Sequence, residues 1–330
     1  DRLEQLLAKA LTGEWEPVMD QIERRHLDLA RDLGIHIDAE LDRHFTDLRR
    51  SAEGIHLIGE VSDRLRARVM ANGELMATRI GAAFLQAEGI DAQWLDARTL
   101  LHAEERPGAT VRANYLSATC NFEPDTAFQQ RLASGGKVLI TQGFIASDAH
   151  GDTVLLGRGG SDTSGSYFAA KLGARRLEIW TDVPGMFTSN PKSVSNARLL
   201  KSLDYDEAQE IASSGAKVLH PRCILPVKQY AIPLTVHATQ QPELEGTVVT
   251  ATGGDGGARV KAVCIKKGIT LLSLETLGMW HQVGFLADAF AVFKDHGLSI
   301  DLVSTSETSV TVSLDPAANT LDSRALETLV

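Results

Sequence analysis

Residues 154–172, VLLGRGGSDTSGSYFAAKL, gather groups suited to binding an anion. An apolar run, Val154–Leu156, stops at Gly157. Arg158, Gly159 and Gly160 follow, and Ser161, Asp162, Thr163 and Ser164 then open a helical pattern that Gly173 closes. A strand, a tight turn and a helix N-terminus suit an anion because the first amides of a helix have no partners within it. Arg158 adds a fork that fits a carboxylate or phosphate, and Asp162 sets a fixed negative charge beside it. Mixed signs at one turn suggest a ligand carrying both, such as an amino acid. No Gly-Lys-Ser/Thr follows, so this is not a Walker loop, and the third glycine of a dinucleotide fingerprint is missing. The same stretch also reads as an ordinary strand–turn–helix joint with an N-cap.

Five other clusters carry polar groups where chemistry could use them. In Asn72-Gly73-Glu74-Leu75, Glu74 begins a helix after a glycine break, where a carboxylate is also simply favourable to the helix dipole. Ile140-Thr141-Gln142-Gly143-Phe144 reads as a strand ending in a glycine turn. Trp180-Thr181-Asp182-Val183-Pro184-Gly185 places a Thr-Asp pair at the end of a strand, fit for a ribose or a metal-bound phosphate, or else forms a plain Pro-Gly turn. Lys192 follows Asn190-Pro191 as a cation on a turn. Lys217, in the run Ser213–Pro221, comes just after Gly215-Ala216 and before a hydrophobic stretch, which suits an ammonium held near a phosphate. His220, beside Pro221, reads as a helix-end or packing histidine.

The elements that must position these groups follow from periodicity. Residues 1–50 are helical: Leu3, Leu6, Leu7 and Leu11 share one face, and a break at Gly13–Pro17 precedes a second amphipathic stretch ending near Gly34. This predicts a helical hairpin covering another layer. Residues 62–88 carry two helical patterns interrupted at Asn72–Gly73, with Ser62 as a cap. From residue 90, short apolar runs (Ala92–Leu95, Lys137–Ile140, Val154–Leu156, Leu177–Trp180) alternate with helices, which predicts parallel pairing in an open α/β sheet with ligands at the strands' carboxyl ends. The Gly-rich run 251–258 reads as a linker between a domain of residues 1–250 and a unit of residues 259–330. In that unit Thr270–Leu274, Ser299–Val303 and Ser309–Leu314 read as strands, Gly284–His296 as a helix, and Ser323–Leu329 as the start of another. The order lacks the last strand of a ferredoxin-like unit.

Composition bounds the function. The chain has 330 residues, 43% of them hydrophobic, and a net charge of −10, so a nucleic-acid partner is not expected. Cys120, Cys223 and Cys264 show no CxxC spacing, which points to reduced thiols and a cytoplasmic location. No metal-ligand pattern and no membrane-spanning run is visible.

Taken in order, LLGRGGSD (155–162), WTDVPGMFTSNPK (180–192) and GAKVLHP (215–221) resemble the aspartate kinases, as do NGEL (72–75), ITQGF (140–144), GFLADAF (284–290) and LVSTSE (302–307). MWHQVGFLADAF and SIDLVSTSETSV are most similar to the lysine-inhibited class. GSYFAAKLGARRLEIW and SSGAKVLHPRCI are similar to the kinase half of fusions to diaminopimelate decarboxylase. The resemblance implies an amino-acid-kinase (carbamate-kinase-like) sheet domain followed by an ACT regulatory unit, incomplete here, that forms homodimers or tetramers.

It also implies phosphorylation of the side chain of L-aspartate by ATP, with Mg²⁺ held mainly by the nucleotide phosphates and with feedback inhibition by L-lysine. In that scheme Arg158, Gly159, Gly160, Ser161 and Glu74 bind the substrate, and Asp162 and Lys217 form the catalytic pair. Thr181, Asp182, Phe187, Lys192, Lys217 and Val218 bind the nucleotide. Met279, Gln282, Phe285, Leu286, Ser299, Ile300, Asp301, Ser306 and Glu307 form the inhibitor site. Phe187 and Lys192 stand where many relatives carry Tyr and Arg; the second change replaces a fork with a point charge, worth about 1 kcal/mol in ATP affinity. The family's N-terminal Lys-Phe-Gly-Gly strand has no counterpart here. Loss of one such group costs roughly 3–4 kcal/mol of transition-state stabilisation, so the chain by itself is expected to be weak or inactive. The alternatives are a non-catalytic amino-acid sensor and another amino-acid kinase.

Overall fold

The computed structural model describes residues 2–133, 138–215, 218–254, 260–276, 283–296 and 298–315. The chain divides into two compact units, Asp1–Cys264 and Ile265–Val330.

The first unit begins with a helical layer. Helix α1 (Arg2–Thr12) buries Leu3, Leu6, Leu7 and Ala10, an i, i+3, i+4, i+7 face; Leu11, expected on that face, is instead 44% exposed. Helix α2 (Glu16–Asp32) starts with a proline in its first turn, where no amide is needed, and buries Val18, Met19, Ile22 and Ala30. Helix α3 (Asp38–Ile58) adds Leu41, Phe45, Leu48, Ala52 and Ile55, and stops at the left-handed Gly59. These faces share one core with Met76 and Ile80 of α4 (Asp63–Ala87). The layer is thus more than a hairpin and has a core of its own.

Helix α4 is capped by Ser62, whose hydroxyl accepts from Leu65 N at 3.3 Å. The expected interruption at Asn72–Gly73 does not occur, and the helix runs through both residues. Asn72 is buried; its Nδ2 donates to the Arg68 carbonyl (3.0 Å) and its Oδ1 pairs with His44 Nδ1 (2.8 Å). A Cβ on Gly73 would lie 3.2 Å from Leu3 Cδ1, so the glycine admits α1. That packing offsets the cost of about 1 kcal/mol for glycine inside a helix. Glu74 therefore sits mid-helix and gains nothing from a helix N-terminus.

The remainder of the unit is mixed α/β. Strand β1 (Ala92–Trp94) and the short helices α5 (Val111–Leu116) and α6 (Thr126–Ala133) precede β2 (Val138–Ile140), which pairs parallel with β1. Strands β3 (Ile145–Ser147) and β4 (Thr153–Leu155) form an antiparallel hairpin, and α7 (Gly160–Leu172) leads to β5 (Leu177–Thr181). Strand β6 (Ser202–Asp204), α8 (Tyr205–Ser213), α9 (Ile224–Gln229), β7 (Leu234–Ala238) and β8 (Thr247–Thr250) complete a four-stranded sheet of order β5-β7-β8-β6. In it β5/β7 and β6/β8 are parallel, but β7/β8 are antiparallel. The expectation of parallel pairing thus holds only in part. Residues 148–152 and 239–246 are too short for a crossover, which takes a dozen or more residues.

The division after Cys264 lies beyond the boundary expected at residue 250. Gly253 packs on β6, where a Cβ would meet the Leu203 carbonyl at 2.0 Å. Further along, Val263 N donates to Thr188 O (2.9 Å), and Ala262 and Cys264 pack on the core around Leu203 and Leu234. Residues 255–258 of the expected linker lie outside the described residues.

The second unit contains β9 (Thr270–Glu275), α10 (Phe285–Asp295), β10 (Leu302–Thr305) and β11 (Ser309–Leu314). Its antiparallel sheet has the order β10-β11-β9, over a core of Phe293, Val310, Val312 and Leu314. The strand expected at Ser299–Val303 begins instead at Leu302, because Leu298 and Ile300 first turn into that core. The helix expected at Ser323–Leu329 lies outside the described residues. Among the described residues no helix is long and apolar enough to cross a membrane.

Candidate active site

Strand β4 ends at Leu155, and the chain then turns through Gly157 (φ 74°) and Gly159 (φ 64°) into α7. No side chain caps the start of α7, so the positive end of its dipole faces the turn. Arg158 and Ser161 are exposed, whereas Asp162 is half-buried.

Two distant segments close on this turn. At one side is ITQGF. A Cβ on Gly143 would lie 2.9 Å from Ser161 Oγ, and one on Gly160 would lie 2.7 Å from Phe144 Cδ2. Both contacts need glycine. Phe144 itself has φ 68°, rare for a side-chain-bearing residue. It is held by its N–H donating to Ser164 Oγ (3.2 Å) and by its carbonyl accepting from Leu156 N (2.8 Å).

At the other side is His220, against which a Cβ on Gly159 would collide at 2.2 Å. The His220 N–H donates to Asp162 Oδ2 (3.3 Å). Burial pushes the Asp162 carboxyl up from its ordinary value, and this N–H pulls it partly back. Burial, followed by the charges of Arg222 and Arg158, holds the His220 imidazole below its ordinary value. Arg222 N donates to His220 Nδ1 (3.3 Å), which places the ring proton on Nε2.

Glu74 is half-buried on α4, and burial raises its carboxyl pKa. One turn later, Thr78 Oγ1 donates to the Glu74 carbonyl (2.7 Å) and accepts from Gln142 Nε2 (2.8 Å) and Trp94 Nε1 (3.0 Å). Gln142, 1% exposed, also accepts from Ala97 N at 2.8 Å. The residue before Gly143 thus ties β2 to the face of α4 that carries Glu74.

The candidate nucleotide residues lie at the end of β5. Thr181 is half-buried, accepts a backbone bond from Thr239 N (2.8 Å), and donates its hydroxyl to the exposed Asp182 (3.3 Å). The Pro-Gly turn that follows is packed tightly. Gly185 lies where a Cβ would meet Thr247 Oγ1 at 2.2 Å, and that oxygen accepts from Met186 N (2.8 Å). Phe187 is half-buried and bridges Leu199, whereas Lys192 is exposed on the next turn. Val218 packs on the core beside Leu219. Lys217 lies outside the described residues. No group of three or more His, Cys, Asp or Glu among the described residues is placed to hold a metal.

In the second unit Phe285 and Ile300 pack into the core, while Leu286 is 43% exposed. Ser299, Asp301 and Glu307 are exposed, and Lys266 Nζ stands 3.6 Å from Asp301. Ser306 Oγ bonds Ser309 Oγ at 2.8 Å. Met279 and Gln282 lie outside the described residues. Sequence reasoning missed Arg222 and the backbone of Phe144; the only local signals were the position of Arg222 directly after His220-Pro221 and that of Phe144 directly after a glycine.

Residues 13–237 match the model of the Amino acid kinase family. The lysine-sensitive aspartokinase 3 of Escherichia coli (strain K12) is 36% identical over 286 residues, 83% of this chain and 61% of that protein. The chain thus spans about three fifths of that relative's length. Two crystal structures of E. coli aspartokinase III superpose on 99% of the chain and 74% of their own, at 32% identity. The TM-score is 0.83 for the complex with aspartate and ADP (R-state) and 0.74 for the complex with lysine and aspartate (T-state). The order of the motifs, their convergence on one glycine turn and these likenesses agree: the chain belongs to the amino acid kinase family, within its aspartokinases.

Proposed function

We propose that the protein transfers the γ-phosphoryl group of MgATP to the side-chain carboxylate of L-aspartate, giving ADP and 4-phospho-L-aspartate. The observation that carries this reading is the meeting of Gly143–Phe144 and His220 on the Gly157–Gly160 turn, which leaves Arg158 exposed above an uncapped helix start. One P–O bond to the β-phosphate oxygen breaks and one to the carboxylate oxygen forms. The nucleophile is an anion at neutral pH, since its carboxyl titrates near ~4, so no proton moves and no general base is needed. The work is alignment and charge neutralisation.

Arg158 holds the α-carboxylate of the substrate, and Gly159, Gly160 and Ser161 line its pocket. Glu74, half-buried on α4 with its carboxyl pKa raised by burial, receives the α-ammonium, whose positive charge favours the carboxylate form. Asp162 organises the site through the His220 amide and does not accept a proton. Thr181 and Asp182 contact the nucleotide, with Phe187 against the base and Lys192, Lys217 and Val218 on the phosphate side. Mg²⁺ would be held mainly through the nucleotide phosphates and would supply charge neutralisation there.

The second unit serves as an ACT-type regulator that binds L-lysine and joins copies of the chain. Asp301 and Glu307 offer the negative charge that a lysine ammonium needs. The buried thiols of Cys120 and Cys223 fit a cytoplasmic enzyme.

The test is ADP release by the intact protein with aspartate and MgATP, with hydroxylamine added to trap the acyl phosphate as a hydroxamate. ADP and hydroxamate that both require aspartate are expected, at a low rate from this chain by itself. ADP release indifferent to aspartate, or faster with glutamate, overturns the reading.

A further inference from the structure

Arg222 follows the His220-Pro221 pair, and its side chain runs back to the glycine turn. Its Nη1 donates to the Leu156 carbonyl (2.6 Å), and its Nη2 donates to the Ala118 carbonyl (2.7 Å) and to Thr119 Oγ1 (3.5 Å). Other arginines of this unit, such as Arg49 and Arg98, grip a carboxylate. Arg222 instead gives both Nη atoms to main-chain oxygens. Leu156 is the last residue before the turn, two positions ahead of Arg158. Ala118 belongs to the segment that lines the other side of the turn, where a Cβ on Gly157 would meet the Leu116 carbonyl and Ser117 Oγ at 3.1 Å.

The turn is therefore gripped at two points that flank Arg158. His220 presses on Gly159 after it, and the Arg222 fork holds the Leu156 carbonyl before it. His220 and Arg222 are themselves joined by the bond from Arg222 N to His220 Nδ1 (3.3 Å). Gly157 and Gly159 have the least intrinsic restraint of any residues, so their conformation has to be imposed from outside. A planar, always-charged fork suits two divergent carbonyls, whereas an ammonium is a point charge without that fixed geometry.

We propose that Arg222 is a positioning residue for Arg158: by clamping Leu156 to Ala118 it fixes the turn that presents the Arg158 guanidinium to the α-carboxylate of the amino-acid substrate. Arg222 touches no substrate itself. Its role is preorganisation, in which order imposed before binding appears as affinity. The inference rests on reading this turn as the aspartate end of the site.

The experiment is calorimetric titration of the full chain and of Arg222→Gln and Arg222→Lys with L-aspartate, and separately with MgADP. The nucleotide residues serve as an internal control, because a merely structural defect weakens both ligands alike. Arg222→Gln is expected to weaken aspartate binding about tenfold or more and to leave MgADP binding within about twofold. Arg222→Lys, able to reach one carbonyl, is expected to fall between Arg222→Gln and the native chain. Unchanged aspartate affinity in Arg222→Gln, or equal losses for both ligands, overturns the proposal. Should Arg222→Gln not fold, the lysine variant decides: native aspartate affinity there overturns the proposal, and a selective loss for aspartate supports it. A native chain that binds MgADP but not aspartate overturns the reading of the site itself, a result distinct from any difference between variants.

Discussion

The His220 ring and the backbone of Gly159 are in contact so close that a single methyl group on Gly159 would lie 2.2 Å from His220 Cβ and Cγ. Gly159 is also left-handed, at φ 64°. Gly159→Ala therefore pays for a conformation disfavoured by about 1–2 kcal/mol and also expels His220. The expected outcome is a rise in KM for aspartate of roughly 10²-fold, since a displacement near 1 Å at a substrate-orienting group costs about that much. Steady-state kinetics against aspartate and ATP separately check it, with a much smaller change expected for ATP.

Glu74 is the residue proposed to receive the substrate ammonium. Its carboxyl pKa is raised by burial in the folded protein. Between the unfolded and folded values the folded chain binds more protons, so stability falls as pH rises through that interval. Glu74→Gln removes this loss. At pH 7 the variant is expected to be more stable than the native chain, with the difference vanishing below pH ~4. On the proposed reading the same change removes the partner of the substrate ammonium, and aspartate binding is expected to weaken by roughly 10–100-fold. Urea unfolding as a function of pH, together with calorimetry, reads both effects, and an aspartate affinity that does not change excludes Glu74 from the site.

Gln142 is an internal tie. Its side chain serves Ala97 N and Thr78 Oγ1 while almost wholly buried. Gln142→Leu keeps the volume but leaves the Ala97 amide without its acceptor, at a cost of about 1–3 kcal/mol. The thermal midpoint is expected to fall by several degrees, about 2–4 °C for each kcal/mol in a unit of this size. Hydrogen exchange at the Ala97 amide should quicken in parallel.

In the second unit, Asp301 faces Lys266 across 3.6 Å, and Lys266 also approaches Asp315 at 3.5 Å. A lysine ligand placed at Asp301 competes with that pair. Calorimetry is expected to show binding of L-lysine that weakens about tenfold in Asp301→Asn, as for loss of one charge-assisted bond. Binding of threonine alone would sink the lysine assignment.

Much of the local structure is legible in the chain itself. The leucine face of α1, the Ser62 cap of α4, the Gly173 stop of α7 and the run from Leu155 through Gly157 into a helix are all set by neighbours a few residues apart. Residue type also showed that Arg158 and Asp162 bring opposite charges to one turn. The fate of Gly73 was not legible, because a glycine reads as a break unless Leu3 and the Asn72–His44 pair are known to lie against it. The direction of β4 was hidden too, since alternating strands and helices suggest parallel pairing until the short turn at residues 148–152 is seen to close a hairpin.

The sequence by itself determined which groups the site has: an arginine between glycines, an acid at a helix start, a Thr-Asp pair at a strand end. Tertiary structure alone decided what occupies the space those glycines leave open. That Ser161 fills the space beside Gly143, Phe144 that beside Gly160, and His220 that beside Gly159 depends on segments far apart in the chain. A missing side chain records that something must come close, but only packing determines what does.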